Sequence, residues 1–153
     1  MKKLTGTWKG NYRYEVSSTM PQSPVPFTLQ LTQGWWWGFR GTVMDDPNLG
    51  MPDQGTVQGR YWYPGIRFVK TMPVGYLQSP EGKRMTFVEY LASLGHQGVQ
   101  TIPHPPIYYR GKFSDRDHAQ GSWLIEAERL PVGQGRALNF LEVRGTWIME
   151  RVG

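Results

Sequence analysis

Bulky apolar or aromatic residues alternate with polar ones along much of the chain, and glycine recurs at a fixed place in this alternation. A five-residue core, in which two bulky residues flank a polar–glycine–polar triplet, occurs five times. The copies are residues 8–12, 39–43, 57–61, 109–113 and 143–147. A period of two is typical of half-buried strands and places the bulky residues and the glycine on one face. Because a missing side chain leaves room for large neighbours on the concave side of a coiled sheet, the repeats predict a small closed barrel.

Three further segments have the same alternation, which brings the predicted strands to about eight. They are residues 27–32, 65–70 and 121–125. Turn-forming residues separate the strands, among them the Asp-Asp-Pro-Asn of 45–48 and the Tyr-Pro-Gly of 63–65. Short connections favour antiparallel neighbours. We therefore predict an all-β fold, a single antiparallel up-and-down β-barrel, in one domain that covers residues 1–153.

One segment between the strands has a helical pattern. Ser79 suits an N-cap, Pro80 suits the first helical position, and Gly95 suits a C-terminal stop. The apolar residues between them fall near a period of 3.6: Met85, Val88, Leu91 and Leu94. We predict one helix at about 79–95, within an insertion at about 73–106 that returns irregularly. The helix either plugs one end of the barrel or packs outside it.

The composition supports a strand-rich domain and excludes several classes of protein. Glycine and proline together supply 31 of 153 residues (19 and 12), well above the usual share of about 12%. There is no cysteine, so disulfides and thiolate metal sites are excluded. No apolar stretch is long enough to span a membrane, and no apolar segment of a signal peptide follows the first lysines. The expected location is the cytoplasm, and whether a native signal peptide was removed stays open.

The net charge of +5 is spread along the chain, with no run of lysine or arginine longer than two. Nucleic-acid-binding proteins usually concentrate such charge on one face. We therefore expect a solvated and mildly basic surface. No membrane partner is expected, and nucleic acid ranks low as a partner.

Residues 4–8, Leu-Thr-Gly-Thr-Trp, resemble the first strand of the calycin barrels, the group that holds lipocalins, fatty-acid-binding proteins and avidins. Gly6 and Trp8 match the Gly-x-Trp of lipocalins, whose tryptophan closes the barrel floor beneath an arginine from near the chain end. The resemblance implies this structural role for Gly6, Trp8 and Arg151. The alternation independently places Arg151 on the same side as Trp147, where a guanidinium can pack over an indole.

The amino-acid sequence of residues 4–8 is more similar still to the first strand of avidins, and residues 57–61 resemble one of the inner strands of avidins. Gly10 stands where avidins place an asparagine that contacts biotin, and the helical insertion has no avidin counterpart. The resemblance therefore implies the architecture and not biotin binding. The overall alternation of bulky and polar residues also resembles that of uncharacterised bacterial lipocalin-like domains. This resemblance implies no activity.

By parity, the inner face holds more aromatic volume than an eight-stranded barrel needs for filling. Barrels of this size are either packed solid or hold one small ligand, and both alternatives stay open. The residues predicted to contact a ligand are Tyr12, Trp37, Phe39, Tyr61, Phe68, Lys70, Tyr109 and Trp123. An apolar pocket with a few hydroxyl groups is the usual form of a ligand site, and no cofactor is expected.

Lys70 shares parity with Ile66 and Phe68, so its ammonium group should lean into the barrel. A buried charge needs an anion, from the protein or from a ligand. One hypothesis is that Lys70, with the hydroxyls of Tyr12 and Tyr61, anchors the polar end of an apolar ligand. The alternative is that Lys70 sits at the strand end and extends to water.

Several apolar residues are predicted to point outward. Neighbours in the run Trp35-Trp36-Trp37 alternate, so at least one tryptophan lies outside. The others with outward parity are Val69, Leu124 and Ile148. We expect such a patch to pair two barrels as a homodimer, in preference to a lipid or base-stacking role.

No catalytic or metal site stands out in the sequence. His96, His104 and His118 fall in irregular segments at spacings that match no common metal pattern, and only His104 suits a position facing the cavity. The glutamates with outward parity are Glu15, Glu126 and Glu150, and the aspartates cluster in turns. Paired carboxylates facing a cavity, which acid–base catalysis would use, are not indicated.

The leading interpretation is non-enzymatic binding of a small apolar or aromatic molecule inside the barrel. An enzyme acting on a small hydrophobic substrate in the same cavity is the alternative, with Lys70 and the tyrosines as acid–base groups. A module for single-stranded nucleic acid is a second alternative, suggested by the positive charge and by arginines beside tryptophans.

Overall fold

Eight antiparallel strands close into a barrel in the computed structural model, which describes residues 4–15, 23–78, 84–95, 102–133 and 135–153. In chain order the elements are β1 (Gly6–Tyr14), β2 (Val25–Gln33), β3 (Gly38–Asp45), β4 (Gly55–Trp62), β5 (Gly65–Thr71), β6 (Tyr76–Gln78), β7 (Arg84–Thr86), α1 (Phe87–Ser93), β8 (Ile107–Asp115), β9 (His118–Ile125), β10 (Glu128–Gly133), β11 (Arg136–Phe140) and β12 (Val143–Arg151).

The order of the strands around the barrel follows the order along the chain. Strands β1 to β5 pair in sequence, then β5 pairs with β8, β8 with β9, and β9 with β12. The barrel closes where β12 pairs with β1, and Trp8 lies opposite Arg151 in that register. The predicted all-β, up-and-down barrel of eight antiparallel strands is confirmed.

All five copies of the glycine-centred repeat lie in barrel strands. Their bulky residues are buried in one core, except Val143, which is half-buried against it. The polar residues that flank each glycine are exposed or half-buried on the outside. The period of two therefore sorts the side chains between core and solvent as the sequence predicts.

Two glycines of the repeats make room for indole rings on the inner face. A Cβ atom added at Gly145 would lie 2.4 Å from the ring of Trp123, and one added at Gly111 would lie 2.6 Å from the ring of Trp147. The space over Gly145 lets the Trp123 Nε1–H reach the carbonyl oxygen of Arg13, 3.1 Å away. A buried indole needs such an acceptor, so the glycines allow the large rings to be both packed and hydrogen-bonded.

Two insertions leave the barrel at one end, the end where β1 finishes at Tyr14. The first, between β5 and β8, carries β6, β7 and α1, and the second is the β10–β11 hairpin between β9 and β12. Together they bury a small cluster apart from the barrel core: Phe87, Leu91 and Ile102, with Leu130 and Phe140 half-buried against them. In the described ranges the only helix has seven residues, so none there has the length and apolarity to cross a bilayer.

The helix begins later than the sequence predicts. It starts at Phe87, with Thr86 as N-cap accepting a hydrogen bond from the Glu89 N–H, and Ser79 and Pro80 lie outside the described residues. Residues 84–86 instead pair with β6 as strand β7. Thr86 and Glu89 have the spacing of a capping box, a local start signal that outweighs the apolar period further upstream. Gly95, at φ +90°, follows the helix end as predicted.

Replacing Gly145 by alanine should destabilise the barrel. The new methyl group would collide with the Trp123 ring and with the Arg13 carbonyl oxygen, 1.9 Å from the Cβ position. We expect the free energy of unfolding to fall by about 1–3 kcal/mol, as is usual when a tight core is overpacked. Urea unfolding measures this, with Gly34→Ala as control, because the nearest atom to that Cβ position is 3.7 Å away. Equal midpoints for the two variants would contradict the packing described above.

Candidate functional site

A buried pair of opposite charges lies inside the barrel. Lys70 and Asp45 are each 2% exposed, and Lys70 Nζ lies 2.7 Å from Asp45 Oδ1. The other carboxylate oxygen accepts a hydrogen bond of 3.0 Å from the Tyr12 hydroxyl. The Lys70 ammonium also lies 4.8 Å from the centre of the Tyr12 ring, within cation–π distance. The anion that the buried lysine needs is thus supplied by the protein.

The alternation along two strands brings this pair together. Lys70 follows Phe68 on the inner face of β5, as predicted, and its burial shows that the predicted alternative of a side chain reaching water is wrong. Asp45 ends β3 and has the parity of Val43, so it faces inward too. Its assignment to a turn was wrong, because the strand continues two residues beyond Val43. Extending the same parity to Asp45 would have found the inward carboxylate.

Burial sets the protonation of the groups around the pair. It lowers the pKa of Lys70, and the Asp45 carboxylate opposes that shift. Burial and the charge of Asp45 together raise the pKa of Tyr14 to about 12, and they raise the pKa values of Tyr12 and Tyr109 still further. These hydroxyls therefore stay protonated near neutral pH, where they can donate hydrogen bonds but cannot take up protons.

The histidines lie apart from one another. His104 is half-buried near the barrel end that carries the insertions, with its ring stacked on Phe87 at 6.4 Å and Nδ1 2.6 Å from the Pro105 oxygen. Burial lowers the pKa of His104, which favours the neutral ring. His118 is exposed on β9, and its hydrogen bond to Asp115 raises its pKa. His96 lies outside the described residues.

The space beside Lys70 is nearly filled by side chains. The gaps there are too narrow to admit a water molecule. Their lining residues are Phe27, Leu29, Val43, Val57, Phe68, Lys70 and Tyr109. Phe68 and Tyr109 stack face to face with ring centres 4.6 Å apart. Beside Lys70 the structure therefore shows the packed alternative, and a ligand could enter there only if these side chains moved.

The structure brings together some of the predicted ligand residues and separates others. Tyr12 and Trp123 are neighbours, with ring centres 6.0 Å apart, and Phe39 lies 6.0 Å from Phe68. Tyr61 pairs with Ile66, four residues along β5 from Lys70, which is roughly 13 Å at the usual strand rise. Tyr61 therefore does not complete an anchor with Lys70.

Trp37 is not inside the barrel, contrary to the parity prediction. It is 61% exposed, in a turn that precedes β3, and its ring packs edge-on against Tyr61. The chain leaves the extended conformation at Trp36 and Trp37, whose φ angles are 55° and 60°. Parity counted through such a turn loses its meaning, because side chains alternate only along extended backbone.

The opposite end of the barrel is closed by Trp8 and Arg151. Trp8 is fully buried, and its Nε1–H donates to the Leu4 oxygen at 3.0 Å. The Arg151 guanidinium lies 4.7 Å from the Trp8 ring and donates to the Thr5 oxygen at 2.8 Å. A Cβ atom at Gly6 would lie 2.4 Å from a backbone oxygen, so this strand start accepts no larger residue without a shift. These contacts join the start of β1 to the end of β12.

On the outer surface, three arginines form a row across adjacent strands. Arg60 on β4 is the direct partner of Arg67 on β5, which is the direct partner of Arg110 on β8. All three are exposed, and in the part of the chain that the structure describes no carboxylate lies within 4 Å of them. We call Arg60, Arg67 and Arg110 the arginine row. The basic residues are spread along the sequence, so the sequence did not predict this cluster. The strand register shows it.

A groove of about 660 Å³ runs beside the arginine row. Val69, Tyr108 and Leu124, which pair in register on β5, β8 and β9, supply its apolar part. Arg144 and the acidic residue Glu15 line the far side, and Arg144 pairs with Glu142. The outward parity predicted for Val69 and Leu124 is confirmed, and both residues are half-buried in this groove. A volume of this size falls in the range of ligand sites.

Comparison with known proteins does not indicate a function, so the candidate sites are identified from their geometry. No family model, no curated protein and no solved structure matches the chain. The closed eight-stranded antiparallel barrel is compatible with a calycin-like fold. Two regions therefore stand as candidate sites, the buried charge pair and the groove with the arginine row.

Removing both partners of the buried pair should cost less stability than the sum of the two single removals. Lys70→Met leaves the Asp45 carboxylate without its counter-ion, and Asp45→Asn leaves the ammonium alone, each costing about 3–5 kcal/mol of unfolding free energy. In the double variant no buried charge is left, so we expect its loss to be smaller than the sum by about 2 kcal/mol. Urea unfolding of the four proteins measures the coupling. Additive losses would show that the two charges do not support each other.

Proposed function

We propose that the protein is a non-enzymatic module that binds nucleic acid through the arginine row on the outside of the barrel. The observation that carries the proposal is the direct pairing of Arg60, Arg67 and Arg110, with no carboxylate partner among the described residues. Like charges placed opposite each other destabilise a sheet, so the row gains stability when an anion lies along it. The planar guanidinium group of arginine can donate two parallel hydrogen bonds to phosphate oxygens.

The shape of the row favours a chain of phosphates over one small anion. Three adjacent strands place the arginines across roughly 10 Å, and the groove continues past them toward Arg144. Partly exposed aromatic side chains lie alongside: Tyr108 (41% exposed) and Trp62 (55% exposed), whose ring has the Arg67 guanidinium over it at 5.5 Å. Positive grooves with accessible aromatic rings are the usual means of binding single strands. The net charge of +5 assists the approach of a polyanion.

The proposal is tested by titrating a labelled oligonucleotide of about 15 nucleotides and following fluorescence anisotropy at several salt concentrations. Affinity should fall as salt rises, with a log–log slope of about −2 for three phosphate contacts on a single strand. Arg67→Gln should weaken binding by roughly fivefold, the equivalent of about 1 kcal/mol for one exposed charged contact. It should also make the slope shallower by about 0.7.

The matched control is Arg13→Gln. Arg13 is exposed like Arg67, but it lies on β1, four strands from β5 in either direction around the barrel. Both variants lose one positive charge, so only the position differs. We expect the control to bind almost as the unaltered protein does. Equal losses in the two variants would show that binding follows net charge and not the arginine row.

Binding of a small apolar molecule inside the barrel, as the lipocalin-like resemblance implies, is a second candidate function. The observation that favours it is the Lys70 ammonium, which carries three protons. Among the described residues, the Asp45 carboxylate is the acceptor that lies within hydrogen-bond distance of it. The ammonium also borders the gaps beside Phe68 and Tyr109. An acidic ligand could use the remaining protons if the rings moved apart.

Native mass spectrometry of freshly purified protein tests this second candidate. We expect a retained small molecule to appear as added mass, and that mass to be missing from Lys70→Met, because the substitution removes the ammonium that would hold an acidic group. Unmodified mass in the unaltered protein would reject interior binding. The same spectrum tests the proposed homodimer, and chemical change in a retained molecule would favour the enzyme alternative.

A further inference from the structure

Three consecutive tryptophans occupy the turn between β2 and β3. Trp35 is 88% exposed, Trp36 81% and Trp37 61%. The turn is held by hydrogen bonds from the Gly34 N–H to the Gly38 oxygen at 2.8 Å and from the Gly38 N–H to the Trp35 oxygen at 3.0 Å. Trp36 and Trp37 have positive φ angles, which bulky residues rarely adopt. Neither burial nor backbone preference explains three indoles here, so their placement points to a role outside folding.

This turn lies at the end of the arginine row. Gly38, the residue after Trp37, is the cross-strand partner of Arg60, so the row leads across β8, β5 and β4 to the base of the turn. Trp37 is anchored there, because its oxygen accepts a hydrogen bond of 3.0 Å from the Tyr61 N–H and its ring packs 5.7 Å from the Tyr61 ring. We call Trp35, Trp36 and Trp37 the tryptophan platform.

We propose that the tryptophan platform stacks unpaired bases of a nucleic acid whose phosphates lie on the arginine row, so that the protein selects single strands over duplexes. The inference rests on the proposed function. In a duplex both faces of each base are covered by neighbouring bases, whereas an unpaired base can place its face on an indole. Each stacked base strengthens binding by about fivefold to a hundredfold, with little dependence on sequence.

The charges at this end of the barrel favour a narrow strand over a bilayer as the occupant. The β8–β9 turn lies at the same end, where Asp115 pairs with His118, Asp117 pairs with Arg151, and the exposed Glu150 lies 3.4 Å from His118. A broad anionic surface pressed against the platform would approach these carboxylates as well. A single strand can instead follow the arginine row to the platform without meeting them.

The test compares the double variant Trp35→Ser/Trp36→Gly with the control Leu141→Ser, which removes an apolar side chain that is 82% exposed elsewhere on the surface. Anisotropy titrations use a labelled single strand and the duplex of the same sequence at several salt concentrations. The platform variant should lose at least about tenfold in affinity for the single strand, with duplex affinity and the salt slope unchanged. Glycine adopts φ near 55° without strain, so the Tm of this variant should equal or exceed that of the unaltered protein.

The outcomes separate this inference from the proposed function. A single-strand preference that survives in the platform variant, while Arg67→Gln still weakens binding, overturns the platform role alone. Absence of binding to either form by the unaltered protein overturns both proposals. Platform-dependent sedimentation with vesicles of phosphatidylcholine and about one-third phosphatidylserine would assign the turn to a bilayer. Platform-dependent dimerisation in light scattering would assign it to a second copy of the chain, and either result overturns base stacking.

Discussion

The packing of indole rings over bare glycine backbone is the interaction on which the rest of this barrel depends. An eight-stranded barrel has a narrow interior, and Trp123 and Trp147 fit there because Gly145 and Gly111 lack side chains. The same gaps let the Trp123 N–H reach a strand carbonyl, so the ring is buried without an unsatisfied donor. Close ring packing holds the strands in register, and that register determines every surface feature discussed above.

A consequence of this packing is that the charged side chains buried among the described residues are paired with each other. The charged groups inside are Lys70 and Asp45, and they neutralise each other with help from the Tyr12 hydroxyl. Such a pair specifies how β3 and β5 face each other more than it adds stability, because desolvating two charges offsets much of their attraction. The buried tyrosines stay protonated near neutral pH, so their hydroxyls act there as hydrogen-bond donors.

The outer surface shows how strand register makes a site from residues that are far apart in sequence. Arg60 and Arg67 face each other across the β4–β5 hairpin, and Arg110, which is distant in the chain, pairs with Arg67 from the third adjacent strand. The neighbouring register positions supply the apolar side of the groove, including Tyr108. Alternation forces these polar side chains outward, and closure of the barrel lines them up. Recognition is therefore expected on the outside of this barrel, where the charge is accessible.

The sequence by itself determined the eight barrel strands, the inward parity of Lys70 and the barrel architecture, because a period of two is a local property that needs no knowledge of partners. It did not predict the four short strands β6, β7, β10 and β11 of the insertions. It missed Asp45 and misplaced Trp37, since the exact residue where β3 begins and ends depends on pairing with β2 and β4. Only the tertiary structure decided that the core is filled and that the arginine row exists. Both follow from the register between strands distant in the chain, which is set when the barrel closes and its rings pack.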